Sequence, residues 1–180
     1  MPVISDAIEQ LKRDKPLVDV YRHKLSGKPL TGSLINHNNL FMFMALVEED
    51  GVLSGFGAVR FPDVTSMRWD TNRLHSLGRL IQRDRVRATI PEVNLITWRA
   101  LIETLFQSFG HVSLIMESRE QTVVHTGVLV DIDDRAVAMH EFGGSDTLDT
   151  PSVVLMYDHL TAVRAGSKNE RDLAFLYSGH

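Results

Sequence analysis

The sequence contains no cysteine, and that absence excludes several kinds of protein. Without thiols the chain has no disulfide framework, no cysteine-ligated zinc ribbon and no cysteine nucleophile. No apolar run approaches the roughly 20 residues that cross a bilayer as a helix. The first residues also lack the basic start and apolar core of a signal peptide. We therefore expect a cytoplasmic protein with no membrane segment.

The residues that are present are typical of a globular protein, since 43% of the 180 are apolar and 23% are charged. The charge is uneven along the chain. Residues 113–180 carry 11 acidic against 5 basic side chains, whereas residues 71–112 carry 6 basic against 3 acidic. The acidic second half argues against a general nucleic-acid binder, because contacts with phosphates need a basic surface.

An internal repeat organises the chain. The segment Thr31-Gly-Ser-Leu-Ile35 recurs 95 positions later as Thr126-Gly-Val-Leu-Val130, and the similarity extends from residues 31–44 to residues 126–139. A duplication of about half the chain predicts two small units, each of which buries little surface by itself.

Each half is predicted to contain one helix followed by five strands. Turn residues and apolar alternation place the strands near 18–24, 30–35, 40–47, 56–61 and 64–69, and again near 112–118, 123–131, 135–142, 152–157 and 160–165. Ser26-Gly-Lys-Pro29 is interpreted as a turn. Helices are predicted at 5–14, at 95–109 with Asn94 as its N-cap and Gly110 as its C-cap, and at 169–177.

The spacing of these short strands predicts a mainly β protein with helices, in which two repeated α+β5 open barrels pack together. The first unit is assigned to residues 1–70, an arginine-rich linker to residues 71–93 and the second unit to residues 94–180. Glycine inside the second strand of a unit is typical of a sharp bend. Gly32 and Gly127 are therefore predicted at equivalent bends.

The glycine is followed by a short motif that resembles a known family. Gly32, Leu34 and Asn38 in the first half match Gly127, Leu129 and Asp133 in the second. A helix and five bent strands with Gly-x-Leu in the second strand resemble the Sm-like fold, an SH3-like open barrel. The resemblance covers most of the chain, taken twice. It implies rings of subunits and RNA binding through the loops after the second and fourth strands.

The family's RNA-contacting residues are replaced in both halves. Met42 and Val137 stand where the Sm-like motif has a base-contacting Asn. The Arg-Gly pair expected near the fourth and fifth strands is absent from Val59-Arg-Phe-Pro62 and from Leu155-Met-Tyr-Asp158. The resemblance therefore implies the fold more strongly than the RNA pocket.

Two groups of residues are candidate contacts for a ligand or for RNA. Asn38 and Asp133 hold the position of the Sm-like aspartate. The other group is the set of arginines in the linker, Arg79, Arg83, Arg85 and Arg87, which is interpreted either as a solvated linker or as a docking patch for the acidic second half. The indole rings of Trp69 and Trp98 are candidates for stacking on a ligand. Trp98 falls on the apolar stripe of a helix, which favours core packing for that residue.

No nucleophile, acid–base pair or metal-ligand set stands out, so we assign no catalytic residue, metal or cofactor. The favoured hypothesis is a non-catalytic binding or scaffolding protein. An RNA-binding protein of the Sm-like class is the alternative, and an enzyme with its site assembled between the two halves is a third. Strands four and five of each unit are predicted sheet edges, and Val153–Tyr157 carries no charge that would discourage pairing. A protein partner, or self-association into a symmetric oligomer through these edges, follows as an expectation.

Overall fold

The computed structural model describes residues 2–84, 89–143 and 149–178. The chain forms two compact units, residues 1–90 and residues 91–180. Within the described residues the secondary structure is mainly β with four helices, and each unit repeats a helix, five strands and a second helix. The internal repeat predicted from the sequence is confirmed.

In unit 1 the elements follow the predicted order. They are α1 (Pro2–Asp14), β1 (Leu17–Arg22), β2 (Ser26–His37), β3 (Phe41–Val47), β4 (Leu53–Arg60), β5 (Ser66–Trp69) and α2 (Asn72–Asp84). The predicted turn at Ser26–Pro29 is wrong, because β2 already begins at Ser26, which pairs with Arg22. The chain reverses within the three residues before Ser26, where the amide of Leu25 donates to the carbonyl of Arg22 at 2.8 Å.

Unit 2 has the same succession of elements. They are α3 (Trp98–Phe109), β6 (Val112–Glu117), β7 (Thr122–Ile132), β8 (Ala136–Glu141), β9 (Ser152–Met156), β10 (Ala162–Ala165) and α4 (Lys168–Ser178). A short 3-10 helix connects the fourth and fifth strands in both units, at Phe61–Asp63 and at Tyr157–His159.

The five strands of each unit form an antiparallel open sheet. The strand order is β5-β1-β2-β3-β4 in unit 1 and β10-β6-β7-β8-β9 in unit 2, so the fourth and fifth strands lie at the two ends of each unit's sheet. Among the described strands of a unit, these two do not pair with each other. The prediction of barrels is therefore corrected to open sheets. In each unit the fifth strand spans 4 residues and pairs with the first strand.

The repeated glycines occupy equivalent positions in the second strand, as predicted. Gly32 pairs with Leu46 and Gly127 pairs with Glu141. A Cβ on either glycine would lie 2.0 Å from a backbone carbonyl oxygen of the third strand, that of Ala45 or of His140. Only glycine permits this close approach of two strands. A register shift follows in both units, after Leu34 and after Leu129.

The first helix of each unit buries one apolar face. Ile8 and Leu11 of α1 are buried, as are Leu101, Ile102 and Leu105 of α3. Helix α3 begins later than predicted, with Thr97 as its N-cap, whose hydroxyl accepts from the amide of Ala100 at 3.1 Å. Gly110 is the C-cap, as predicted, with φ 73°. None of the described helices is long and apolar enough to cross a membrane.

Candidate functional site

Asn38 lies in the turn between β2 and β3 and holds that turn together. Its side-chain oxygen accepts hydrogen bonds from the amides of Leu40 and Phe41, both at 2.8 Å. Its own amide donates to the carbonyl of Phe41 at 2.9 Å, which closes the turn from the other side. This is the behaviour expected of Asn in a tight turn.

Asp133 performs the same task between β7 and β8. Its carboxylate accepts from the amides of Arg135 at 2.6 Å and Ala136 at 2.8 Å, and these two bonds lower the pKa of Asp133. The hydroxyl of the buried Tyr157 donates to the Asp133 carbonyl at 2.8 Å, and burial raises the pKa of Tyr157 to about 12. The structure therefore gives both predicted turn residues a structural role, and their contact with a ligand stays a prediction.

Two of the four candidate arginines lie on α2. Arg83 is paired with the neighbouring Asp84, with 2.6 Å between its Nε and Oδ1. Arg79, one turn earlier, lines a cleft in unit 1. Arg85 and Arg87 lie outside the described residues.

The unit 1 cleft has a volume of about 760 Å³ and lies where α1 ends, β1 begins and α2 follows β5. Its lining includes Lys15, Ser33, Trp69, Asp70, His75 and Arg79. This volume is within the range of roughly 300–1,000 Å³ that is usual for sites that bind small molecules. The cleft brings Arg79 and Trp69 together, two residues that the sequence had singled out separately.

Two residues of the cleft have a strained backbone. Lys15 (φ 48°) and Asp70 (φ 60°) are the non-glycine residues with positive φ in the described chain. Lys15 ends α1, where its amide donates to the Leu11 carbonyl at 3.0 Å, and Asp70 precedes α2. The corresponding positions of unit 2 are Gly110 and Gly166, which adopt φ 73° and φ 80° without a Cβ. Left-handed backbone costs an ordinary residue about 1–2 kcal/mol, which glycine avoids.

The charged groups of the cleft are unequally paired. Asp14 is bonded to Arg13 at 2.9 Å, and Asp70 is bonded to His75 at 2.8 Å. Lys15 and Arg79 are exposed and have no ion pair among the contacts of the described residues. Asp14 has a cationic partner and Asp70 is hydrogen-bonded to a histidine, so Lys15 and Arg79 are the charged side chains of the cleft without an ion pair among the described residues.

Two side chains of the cleft are of the types used in nucleophilic catalysis, but they are not bonded to each other in the described structure. Ser33 and His75 both line it, but the Ser33 hydroxyl donates to the Lys15 carbonyl at 3.4 Å. Within the described part of the chain, no hydrogen bond joins Ser33 to His75, as activation of a nucleophile would require. The described residues also contain no cluster of three or more His, Asp or Glu side chains that could hold a metal ion.

Sequence reasoning missed Lys15, Asp70 and His75 as site residues. Two local signals point to Lys15 and Asp70. Lys15-Pro16 follows a helix directly, which marks a helix terminus, and Asp70 precedes Thr71, whose hydroxyl accepts from the Leu74 amide at 3.3 Å as an N-cap.

A buried polar cluster lies under the second helix of each unit. In unit 1 the buried Asp19 accepts from Thr31 at 2.7 Å and from Arg73 of α2. In unit 2 the buried Ser113 lies 2.7 Å from Thr126 and donates to Glu170 of α4 at 2.5 Å. The acidic group is therefore on the strand in unit 1 and on the helix in unit 2. Both clusters attach a helix to the sheet.

The comparisons with known proteins identify no relative: no protein-family model, no curated protein and no solved structure matches the chain. Functional interpretation therefore depends on the geometry of the cleft and of its neighbouring residues. The strongest features of the cleft are its unpaired cations, its tryptophan and its two strained residues.

Proposed function

We propose that the chain is a non-catalytic binding or scaffolding protein, with the unit 1 cleft as its binding site. The observation that carries the proposal is the presence of Lys15 and Asp70 in left-handed conformations on the cleft, where unit 2 has glycine. Residues with a strained backbone cluster at functional sites. The strand order β5-β1-β2-β3-β4, preceded by a helix, supports an Sm-like origin for the repeated unit.

The cleft suits a planar anionic ligand. The half-buried indole of Trp69 offers a stacking surface, and Lys15 and Arg79 supply positive charge without a competing ion pair in the described residues. A nucleotide combines a planar base with an anionic phosphate, so it is the ligand class with the best fit. Stacking of a base on an aromatic side chain contributes about 1–3 kcal/mol.

An RNA-binding role is the second candidate, and the same juxtaposition of Trp69 with Arg79 favours it. Against it stand Met42 and Val137, which replace the family's base-contacting Asn. Filter binding to oligo-U and oligo-A at low and moderate salt tests this role, because phosphate attraction is strongest at low salt. Absence of oligonucleotide binding at low salt contradicts it.

Equilibrium dialysis with uridine and adenosine monophosphates tests the cleft itself. Arg79→Gln should weaken binding several-fold, whereas Arg83→Gln should leave it unchanged because Arg83 is already paired with Asp84. Trp69→Leu should weaken binding about tenfold through lost stacking. Equal affinities for all the variants would remove the cleft from the proposal. Turnover in a panel of hydrolase substrates, abolished by Ser33→Ala, would contradict its non-catalytic character.

The scaffolding part of the proposal is self-association through β9. This strand is at the end of the unit 2 sheet and has no charged residue from Ser152 to Met156, and Val154 is 66% exposed. An uncharged edge strand can pair with the same strand of a second copy. Light scattering at micromolar concentration should give a dimer mass for the wild type and a monomer for Val154→Lys. Val52→Lys, at a similarly exposed valine of unit 1, is the control. A wild-type monomer would overturn this part.

A further inference from the structure

A second pocket lies entirely within unit 2 and has a different character from the cleft. Its volume is about 550 Å³, and its walls come from the end of α3, from β7, from the end of β8 and from α4. The walls are mainly apolar and aromatic, with Phe109, Phe142, Phe175 and Tyr177 among them. The rings of Phe142 and Tyr177 stack with 4.8 Å between centroids. Phe175 is 78% exposed, so one large apolar side chain of the pocket faces water.

The pocket also contains a buried histidine, one ring nitrogen of which has no partner in the described structure. His111 lines the pocket and is only 4% exposed, and its Nε2 is buried with no hydrogen-bond partner in the described structure. A buried polar atom without a partner costs free energy unless something else satisfies it. Burial lowers the pKa of His111, so the ring is neutral near pH 7.

The other histidine of the pocket, His140, is neither buried nor without a polar neighbour. His140 is exposed, and its Nδ1 is 3.0 Å from the hydroxyl of Ser152. A ligand in the pocket therefore gains little from His140 and most from His111.

We infer that this pocket binds a small aromatic molecule that carries a hydroxyl group, with the hydroxyl hydrogen-bonded to Nε2 of His111. The aromatic walls match an apolar ring, and the exposed Phe175 would be covered by it. A hydroxyl both donates and accepts, so it satisfies either tautomer of a neutral imidazole. This site is separate from the proposed nucleotide cleft and does not depend on it.

Equilibrium dialysis with 2-naphthol and 2-methylnaphthalene tests the inference, because the first probe has a hydroxyl group where the second has a methyl group. The wild type should prefer 2-naphthol by about tenfold, the ratio that one hydrogen bond provides. His111→Phe keeps an aromatic ring of similar size and should abolish the preference. His140→Phe is the matched control and should retain it.

A second variant locates the site without touching the buried histidine. Phe175→Ala removes an exposed side chain, so the fold should be unaffected, and it should weaken both probes equally while the preference remains. Three results would overturn the inference. They are binding of neither probe up to its solubility limit, equal affinity of the wild type for both, and unchanged binding of both probes to Phe175→Ala.

Discussion

Replacing Arg73 by Met should expose how much unit 1 depends on its buried carboxylate. The side chain of Asp19 is 5% exposed and receives hydrogen bonds from Arg73 and Thr31. Methionine keeps the length of the side chain but removes the positive charge. The Thr31 hydroxyl then remains as a donor to the Asp19 carboxylate.

The expected loss is about 2 kcal/mol of unfolding free energy. Breaking a fully buried ion pair costs about 3–5 kcal/mol, and an exposed pair contributes about 0–1 kcal/mol. The Arg73 side chain is 50% exposed, so water replaces part of what the guanidinium supplied, and the loss falls between these limits. Asp19→Asn in the same background should remove most of the penalty, because an amide does not need the cation.

Urea unfolding measures these values, with Trp69 fluorescence as the probe of unit 1 in a Trp98→Phe background. Arg60→Met is the matched control, since Arg60 lies 3.5 Å from Asp63, whose side chain is 22% exposed against 5% for Asp19. The control should lose less than about 0.5 kcal/mol. If Arg73→Met costs no more than the control, or if the double-mutant cycle gives a coupling below about 0.5 kcal/mol, the buried pair does not stabilise the unit as we argue.

The remaining predictions concern helix packing, backbone strain and pH. Leu105→Ala should cost about 2–5 kcal/mol in urea unfolding, because Leu105 is fully buried, whereas Phe106→Ala should cost less because Phe106 is half-buried. Lys15→Gly should raise the melting temperature, since glycine adopts φ 48° without strain, with a net gain of about 0.5–1 kcal/mol. Burial lowers the pKa values of His111 and His37 in the folded state, so the unfolded chain binds protons first and stability should fall as pH drops below about 6.5. In urea unfolding experiments between pH 7 and pH 5, the free energy of unfolding should decrease less for the variant His111→Phe than for the wild type.

The strands and the repeat could be predicted from the sequence because their signals are local. Gly32 and Gly127 are required by a contact with the adjacent strand, and that contact recurs in both units, so the sequence repeats at the same offset. Closure of a sheet depends instead on strand length and curvature accumulated over five strands. No residue pattern reports these quantities, and the predicted barrels are open sheets.

Helix boundaries were ambiguous for a different reason. Asn94 and Thr97 are both good N-cap residues, and each accepts a backbone hydrogen bond. The Asn94 oxygen accepts from the amide of Ile96 at 3.0 Å in a turn, and Thr97 accepts from Ala100 at 3.1 Å as the true cap. Spacing alone cannot separate an Asn turn from an Asn cap. The turn predicted at Ser26–Pro29 rests on composition, because Ser, Gly and Pro are common in turns. In the structure this segment is the start of β2.

The cleft could be predicted only in part, because its residues come together through the fold. In the sequence, Arg79 stands out for the charge of its neighbourhood and Trp69 for its aromatic ring. They line one cleft only because α2 packs against β1, the strand that pairs with β5. Lys15 and Asp70 lie beside helix-terminus signals, Pro16 and the N-cap Thr71, but these signals do not place either residue on a cleft. Their special character is a positive φ, which the sequence does not display at a non-glycine residue.

Comparison of the two units supports the proposal that the unit 1 cleft is a binding site. Both units need a left-handed residue at the end of the first helix and another before the last helix, and unit 2 satisfies both needs with glycine. Unit 1 instead has a lysine and an aspartate at these positions, at a cost of about 1–2 kcal/mol for the lysine and less for the aspartate, which tolerates the left-handed conformation better. Fold stability alone would favour glycine at all four positions. A charged side chain at a strained position is therefore best explained by what it contacts, and in unit 1 both side chains border the same cleft.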